Sequence, residues 1–569
     1  MTVYRPFERA TARRVNRRQM LRGGLGLAAG SAAFLLACGG KQGETIQPPA
    51  GAAQGTTAAA GPGGAAAAQP KRGGRLLWYW YTSSNTLNPV TNFNEGYILS
   101  GVHVYDRLIS FRFGKDSAKE YVLEAAQSVE MPDPTTVIFK LKPGMKYQSR
   151  APVNGRPVSA EDVVKTQLYV RDNPRAENNS FQTLSMQSVE APDAQTVVFK
   201  LKAPNAYVFS GTQLGNPGAQ CIIPQELLDN LDTAWPVGSG PYQLVEYELS
   251  TRYLYRRFDG FRDAAKGLPY LDEREVRIII DPAAQEAAFR SEQLHIWIPP
   301  LPTIAEQVKR DLGARVDVDE YLTLSMVTFS ANVNRPPWND VRAREALYRV
   351  LDRKQYLDLL EGGKGQVAPG PLSPALEEYR LDPAQTEKYF RQDPRAARQL
   401  LEAAGFDFNK EVEMSTINIP RNNQGMEIFQ QQASRAGIKV RLQPMPFAEW
   451  LQQKIFTGNW ETWYAQHPAY DTPQVPLRLQ HTKTYNAHQW NGLRDPEVDR
   501  LIEKAEQTLD RAERVKLVKD IQIALLEKYT PFIITHSPMA YIARWKYVRN
   551  YELSIATEAL YRTELWLDK

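Results

Sequence analysis

The strongest constraint on the fold of this chain is a segment that occurs twice, 60 residues apart. Ser128-Val129-Glu130-Met131-Pro132-Asp133 leads into Thr136-Val137-Ile138-Phe139-Lys140-Leu141-Lys142. Ser188-Val189-Glu190-Ala191-Pro192-Asp193 leads likewise into Thr196-Val197-Val198-Phe199-Lys200-Leu201-Lys202. An extended run, a Pro-Asp turn and an alternating second run predict a β-hairpin in each copy. Two copies are too few for a solenoid, so the spacing predicts two hairpins of one sheet. Between them Ser159-Ala160-Glu161-Asp162 predicts a helix start, with a serine cap and acids at the positive helix end.

The flanking sequence adds strands and helices in alternation. Gly73-Gly74 feeds an aromatic strand ending at Tyr81. Asn339 or Asp340 opens a helix ending near Gly362-Gly363, and Asp393-Pro394 opens one that stops at Gly405. Asp495-Pro496-Glu497 opens a helix whose face is Val498, Leu501, Ile502, Ala505 and Leu509, and a further helix carries Val515, Val518, Ile521 and Leu525. Strand-like runs lie at Val412 to Ile419 and Ile438 to Leu442. Such alternation predicts α/β lobes, and 569 residues suffice for two or three cores.

Charge removes one function class. Residues 1–37 carry seven Arg and one Glu, a net +6, while the whole chain is +5; the remainder is therefore −1. A nucleic-acid binder needs its basic surplus in the folded part, and none is there.

The basic start reads as an export signal. Asn16-Arg17-Arg18-Gln19-Met20-Leu21-Arg22 resembles the twin-arginine pattern, with Arg17 and Arg18 as the pair. The uncharged run Gly23 to Ala37 is shorter than the roughly 20 residues that span a bilayer. It ends in Leu35-Leu36-Ala37-Cys38, which resembles a bacterial lipobox and makes Cys38 the lipidation site. Residues 38–71, rich in Gly, Ala, Gln, Thr and Pro, predict a flexible tether. For roughly 32 such residues the r.m.s. reach is on the order of 30 Å.

No catalytic constellation stands out. There is no Gly-x-Ser-x-Gly, no His-Glu-x-x-His and no phosphate-binding Gly-rich loop ending in Gly-Lys-Ser/Thr. His467, His481 and His488 are spaced unlike any helical or hairpin ligand pair, so no metal and no cofactor is expected. Glu377-Glu378 reads as solvated acids rather than half of a hydrolase carboxylate pair. Cys221 reads as a small buried apolar residue. The unusual stretch is Asn459 to Trp490, where Trp460, Trp463, Tyr464, Tyr470, Tyr485 and Trp490 sit among Gly, Pro, Asn and His. Rings on loops offer rigid binding area. Each ring taken singly serves equally well to roof a core.

The order of short motifs resembles the bacterial extracellular solute-binding proteins of family 5, the dipeptide-, oligopeptide- and nickel-type receptors of ABC importers. The motifs are Gly73-Gly74 with Leu87-Asn88-Pro89, Val104-Tyr105-Asp106-Arg107-Leu108, Phe139 to Gly144, and Gly238-Ser239-Gly240-Pro241-Tyr242. Pro337-Trp338-Asn339-Asp340-Val341-Arg342, Leu351-Asp352-Arg353, Ala397 to Gly405 and Asp495-Pro496-Glu497-Val498-Asp499 follow. The resemblance covers nearly all of residues 72–569.

It implies a two-lobed periplasmic-binding-protein clamp, type II-like, with an extra small subdomain. Lobe I would be 72–105 with 222–320 and 535–569, the extra subdomain 106–221, and lobe II 321–534, with an edge strand at Tyr321 to Asn332. The ligand contacts expected are Trp460, Trp463, Gln466, Tyr470, Asp471, Tyr485 and Trp490, with Asn94 and Glu95 from the first lobe. In peptide-binding members a Trp-x-Ala-Asp segment anchors the ligand's α-ammonium. Here the matching stretch is Trp463-Tyr464-Ala465-Gln466, a neutral amide, with Asp471 as a possible substitute. The function implied is capture of a peptide or similar small solute by a lipid-anchored, monomeric, extracytoplasmic partner of importer permease subunits. A sensor or adaptor using the same clamp, and a secreted hydrolase, are the alternatives.

Overall fold

The computed structural model describes residues 69–82, 86–92, 96–111, 121–177, 179–216, 218–482, 493–551 and 562–569. The repeated segment forms the two expected hairpins of one antiparallel sheet, with the inner strands Thr136–Leu141 and Thr196–Leu201 side by side. Because like residues sit at like positions, the register is locally two-fold. Lys140 donates to Thr196 Oγ1 and Lys200 to Thr136 Oγ1, at 2.5 and 2.7 Å. Val137, Phe139, Val197 and Phe199 turn inward and are wholly buried. Ser159 and Asp162 form the capping box of the helix Ala160–Asp172, which packs beside this sheet.

The chain enters this subdomain at Asp106-Arg107 and leaves it at Cys221-Ile222, and the two passages pair: Arg107 bridges Cys221 and the Ile222 amide donates to Asp106 O. Cys221 is buried there, as expected, and burial pushes its thiol pKa up to about 12. The motif Gly238-Ser239-Gly240 lies against the same passage. A Cβ on Gly238 would stand 2.0 Å from the Val104 carbonyl oxygen, and one on Gly240 2.7 Å. Only glycine permits that approach.

One core gathers residues from Leu76 to Tyr105, from Ala219 to Val316 and from Ile542 to Leu567. Its main sheet has the order Arg75–Trp80, Glu273–Ile278, Arg252–Arg257, Tyr242–Glu248, the first pair being parallel. Beside it Met539–Trp545 pairs with Val316–Leu322. Other cores fill the region from Leu324 to Ile534 around a six-stranded sheet. Its order is Gln366–Val367, Phe532–Ser537, Met326–Ala331, Thr462–His467, Glu411–Ile417, Lys439–Met445.

Two expectations are corrected here. Tyr321 to Asn332 is not an edge strand. Tyr321 and Leu322 finish the strand paired with Met539–Trp545, whereas Met326–Ala331 is interior to the six-stranded sheet. All six of its residues are buried, as a strand covered on both faces requires. The helix expected from Asp340 to Gly362 is two helices, Val341–Val350 and Arg353–Leu360. The break comes at Leu351-Asp352, where the Asp352 carboxylate leaves the helix to accept from the Gln355 amide.

The strand pair Val316–Leu322 and Met539–Trp545 is joined to the six-stranded sheet by two backbone passages, Thr323–Ser325 and Pro538. Thr323 ties them together, its amide and hydroxyl both donating to Pro538 O at 3.1 and 3.0 Å. Pro538 has no N–H to continue a ladder. Among the described residues no helix is long and apolar enough to cross a membrane.

Candidate functional site

The strand Thr462–His467 organises the site through its alternation. Trp463, Ala465 and His467 take one face and Thr462, Tyr464 and Gln466 the other. On the second face Tyr464 lies against Gly425 of the helix Pro420–Ser434, where a Cβ would meet the ring at 2.1 Å. Gly425 therefore sets how closely this helix sits on the sheet, and with it the position of Arg421 in the first turn.

Gln466 ends that face beside the two backbone passages. Its Nε2 donates to Ser325 Oγ at 3.0 Å, and its Oε1 accepts from Arg421 Nη1 at 3.3 Å. The Arg421 guanidinium also reaches Glu361, with Nε 3.3 Å from Oε1 and Nη2 3.4 Å from Oε2. Glu361 is wholly buried, so Arg421 supplies the positive charge its carboxylate needs. His536 Nε2 stands 3.4 Å from Glu361 Oε1. Burial depresses the His536 pKa, which keeps the ring neutral. Arg421 Nη2 donates in addition to Pro300 O, across the gap between the two large cores, at 3.3 Å.

Further contacts cross this gap or join the hairpin subdomain to the region from Leu324 to Ile534. Lys364 pairs with Glu306 and Glu320 at 3.0 and 3.1 Å; the hydrogen bond to Glu306 leads in raising its pKa. From the hairpin subdomain the Ala206 amide donates to Glu506 O, and the Gly211 amide to Asp471 Oδ2, both at 2.7 Å. The Arg514 guanidinium lies over the Tyr207 ring. Desolvation pushes the Asp471 pKa up to about 6. The arrangement is that of a clamp in its closed form.

The expected ligand residues separate into three groups. Gln466 reaches the gap between the cores. Asp471 also lies at a junction, where its Oδ2 accepts from the Gly211 amide. Of the aromatic residues, Trp460 and Tyr470 lie outside the regular elements as expected, but two do not lie on loops. Trp463 and Tyr464 are strand residues, and Trp460 and Trp463 are 1% and 0% exposed. They pack with Trp450 and Phe532 in one core, with Tyr470 half-buried against it. In this conformation the two tryptophans face protein. Asn94, Glu95, Tyr485 and Trp490, together with Arg17, Arg18, Cys38 and His488, lie outside the described residues. Of the other histidines, His467 packs between Trp463 and Phe532, while His481 lies 3.2 Å from Glu503. Glu378 pairs with Arg511.

Sequence reasoning missed Arg421, Glu361, Ser325 and Pro300. Their only signal was Pro420 at a helix start after the Val412 strand, which places Arg421 in the first turn.

Two lobes joined by paired backbone passages and closed over a polar floor define the class: an α/β solute-binding clamp with an added hairpin subdomain. The model of the bacterial extracellular solute-binding proteins, family 5, middle region, matches residues 120–486, and the chain belongs to that family. The dipeptide-binding protein of Escherichia coli is 24% identical over 472 residues, 78% of this chain and 85% of that protein. The oligopeptide-binding protein AppA of Bacillus subtilis is 24% identical over 501 residues, 81% and 86% of the two chains. Among solved structures, Helicobacter pylori DppA in complex with the peptide STSA superposes with a TM-score of 0.75 at 21% identity, covering 88% of this chain and 99% of that one. AgaA of A. tumefaciens R10, in complex with agropinic acid, gives 0.73 at 20% identity, covering 87% and 99%.

Proposed function

We propose that this protein is the substrate-binding lipoprotein of an ABC importer, capturing a small solute between its lobes outside the cytoplasmic membrane and presenting it to permease subunits. On this reading lobe I comprises 72–105 with 222–322 and 539–569, lobe II 326–537, and the hairpin subdomain 106–221 closes with lobe I. Export through the twin-arginine route by Arg17-Arg18 and acylation of Cys38 rest on the sequence pattern of residues 16–38. A Cys38→Ala chain found in the soluble fraction after processing supports the anchor; one still membrane-bound contradicts it.

The observation that carries the reading is the polar floor under the paired passages, Gln466 with Arg421, in reach of Pro300 on the opposite lobe. It also bears on the ligand. An enclosed ammonium without a counter-charge costs several kcal/mol, and a hydrogen bond to a neutral amide returns only about 1.5–3 kcal/mol. At Gln466 the Arg421 guanidinium, itself paired with Glu361, already donates to that amide oxygen at 3.3 Å and so competes with an ammonium for it. The solute is accordingly one without a free α-ammonium at this position: a blocked or cyclic peptide, a glycan or another neutral solute. Native mass spectrometry of the protein as purified tests this. A bound small molecule that is released when the lobes are opened by denaturant supports the receptor reading. A protein that never carries a solute and shows no change in radius of gyration with cell extract contradicts it.

A further inference from the structure

Large apolar side chains end the parallel strands of both lobes at the gap that Arg421 crosses. In lobe I, Trp80 pairs with Ile278 at the ends of two neighbouring parallel strands, and the Ile279 amide donates to Trp80 O at 2.9 Å. Tyr81 and Ile280 follow within two residues and are 46% and 64% exposed. In lobe II, Ile417 pairs with Met445 at the ends of Glu411–Ile417 and Lys439–Met445, which are also parallel. The Asn418 amide donates to Met445 O at 2.7 Å, and Ile419 and Phe447 come next, 41% and 50% exposed. We propose that these two pairs form an apolar subsite, which takes a branched aliphatic or aromatic group of the solute held on the Gln466 floor. The proposal rests on the importer reading and narrows its neutral solutes to those bearing apolar side groups, which a blocked peptide has and a glycan lacks.

Single exposed apolar side chains are ordinary on any surface, but their placement here is not. In open α/β sheets ligands bind in the crevice outside the carboxyl ends of the strands, and both pairs stand at such ends. The contacts already described bring the two ends together. Arg421 lies two residues beyond Ile419, and its Nη2 donates to Pro300 O. Pro300 follows Ile296–Trp297, which runs beside Arg75–Trp80, with the His295 amide donating to Leu77 O at 2.9 Å. This contact therefore ties the chain just past Ile419 to the lobe I edge that carries Tyr81. Gln466 belongs to the same edge of the six-stranded sheet as Ile419, because Thr462–His467 runs parallel to Glu411–Ile417. A macromolecule covering both pairs would have to enter the closed gap, whereas a solute on the floor already lies there. The pairs offer no charge and no amide, so the hydroxyls of a glycan desolvated against them would go unanswered. Apolar groups gain there in proportion to the area that closure removes from water, on both lobes at once.

Calorimetry on the purified protein with N-acetyl-leucyl-leucinamide, N-acetyl-glycyl-glycinamide and maltose tests the proposal. Wild type should bind the leucine compound at least tenfold more tightly than either of the others. Phe447→Ser and Ile280→Ser, one from each lobe, should each cut the preference for leucine over glycine at least threefold. Because these side chains are exposed, serine in their place removes little packing. Val341→Ser is the control: Val341 is similarly exposed, but Arg344 of the same helix donates to Tyr529 O, ahead of Phe532–Ser537 and so at the opposite edge of the sheet. It should cut the preference less than threefold. Leucyl-leucinamide differs from its acetylated form only at the amine, so tighter binding of the free amine would overturn the account of Gln466 and leave this subsite standing. A wild-type crystal soaked in the acetylated leucine compound should show a leucine side chain against Phe447 and Ile280. The proposal is overturned if the leucine compound fails to bind, or binds less than tenfold more tightly than either of the others. It is overturned equally if either lobe variant cuts the preference less than threefold, if Val341→Ser cuts it as much as they do, or if a bound leucine compound lies away from both pairs.

Discussion

The two sides of the closed clamp are built on different electrostatics. Near the paired passages a buried carboxylate, Glu361, is answered by the Arg421 guanidinium, which also reaches Gln466 and Pro300. At the subdomain joint the Asp471 carboxylate has a backbone amide, that of Gly211, as its cross-joint partner, and desolvation pushes its pKa up to about 6. A paired charge makes a contact sensitive to losing its partner. A carboxylate held by an amide makes it sensitive to protons. One clamp should therefore respond to mutation at one side and to pH at the other.

The largest effect is expected from Arg421→Ala. It leaves Glu361 buried without compensation, which costs about 3–5 kcal/mol, read as a lower denaturation midpoint for lobe II. The double variant Arg421→Ala, Glu361→Gln should recover most of it. A single variant as stable as wild type would show that water, not Arg421, carries the charge.

The joint should respond to acid. In the open form Asp471 is hydrated and titrates near the ordinary 3.8; in the closed form it titrates near 6. The closed form therefore holds more protons between those values, so closure strengthens as pH falls from above 6 towards 4. A tenfold difference in proton affinity between the two forms corresponds to about 1.36 kcal/mol. Because Asp471 is only partly buried, we expect a gain of several-fold, with about tenfold as the ceiling, in the closed-to-open ratio from pH 7 to pH 5. Small-angle scattering across that range measures it. Asp471→Asn should flatten the curve, and a wild-type radius of gyration that rises with acid would reverse the sign.

The smallest effect should come from the exposed bridge of Lys364 to Glu306 and Glu320. Surface pairs contribute about 0–1 kcal/mol, so Lys364→Ala should shift closure less than fivefold, and less again at high salt. A larger shift would make this bridge, and not the buried floor, the principal tie near the passages.

The same contrast explains what was legible in the sequence. The hairpins could be read because the repeat, the alternation and the Pro-Asp turns all act locally, and the helices opened by Ser159, Asp393 and Asp495 because their caps do. The core packing of Trp460 and Trp463 could not be read because ring burial is decided by partners such as Trp450 and Phe532, 10 or more residues away along the chain. The floor escaped for the same reason: Ser325, Glu361, Arg421, Gln466 and His536 come from five separate stretches. Gln466 alone stood out, through a motif position. Tyr321 to Asn332 looked like one strand because nothing local marks Thr323–Ser325 as the step between two sheets.

Calorimetry with one short peptide, free and N-acetylated, on wild type, Gln466→Asp and Asp471→Asn tests the central claim most directly. The account predicts that wild type shows no preference for the free amine, and that Gln466→Asp shifts preference towards it by bringing a carboxylate to the anchor position. If wild type prefers the free amine by tenfold or more and Asp471→Asn abolishes that preference, Asp471 is the anchor and the account of the floor is wrong.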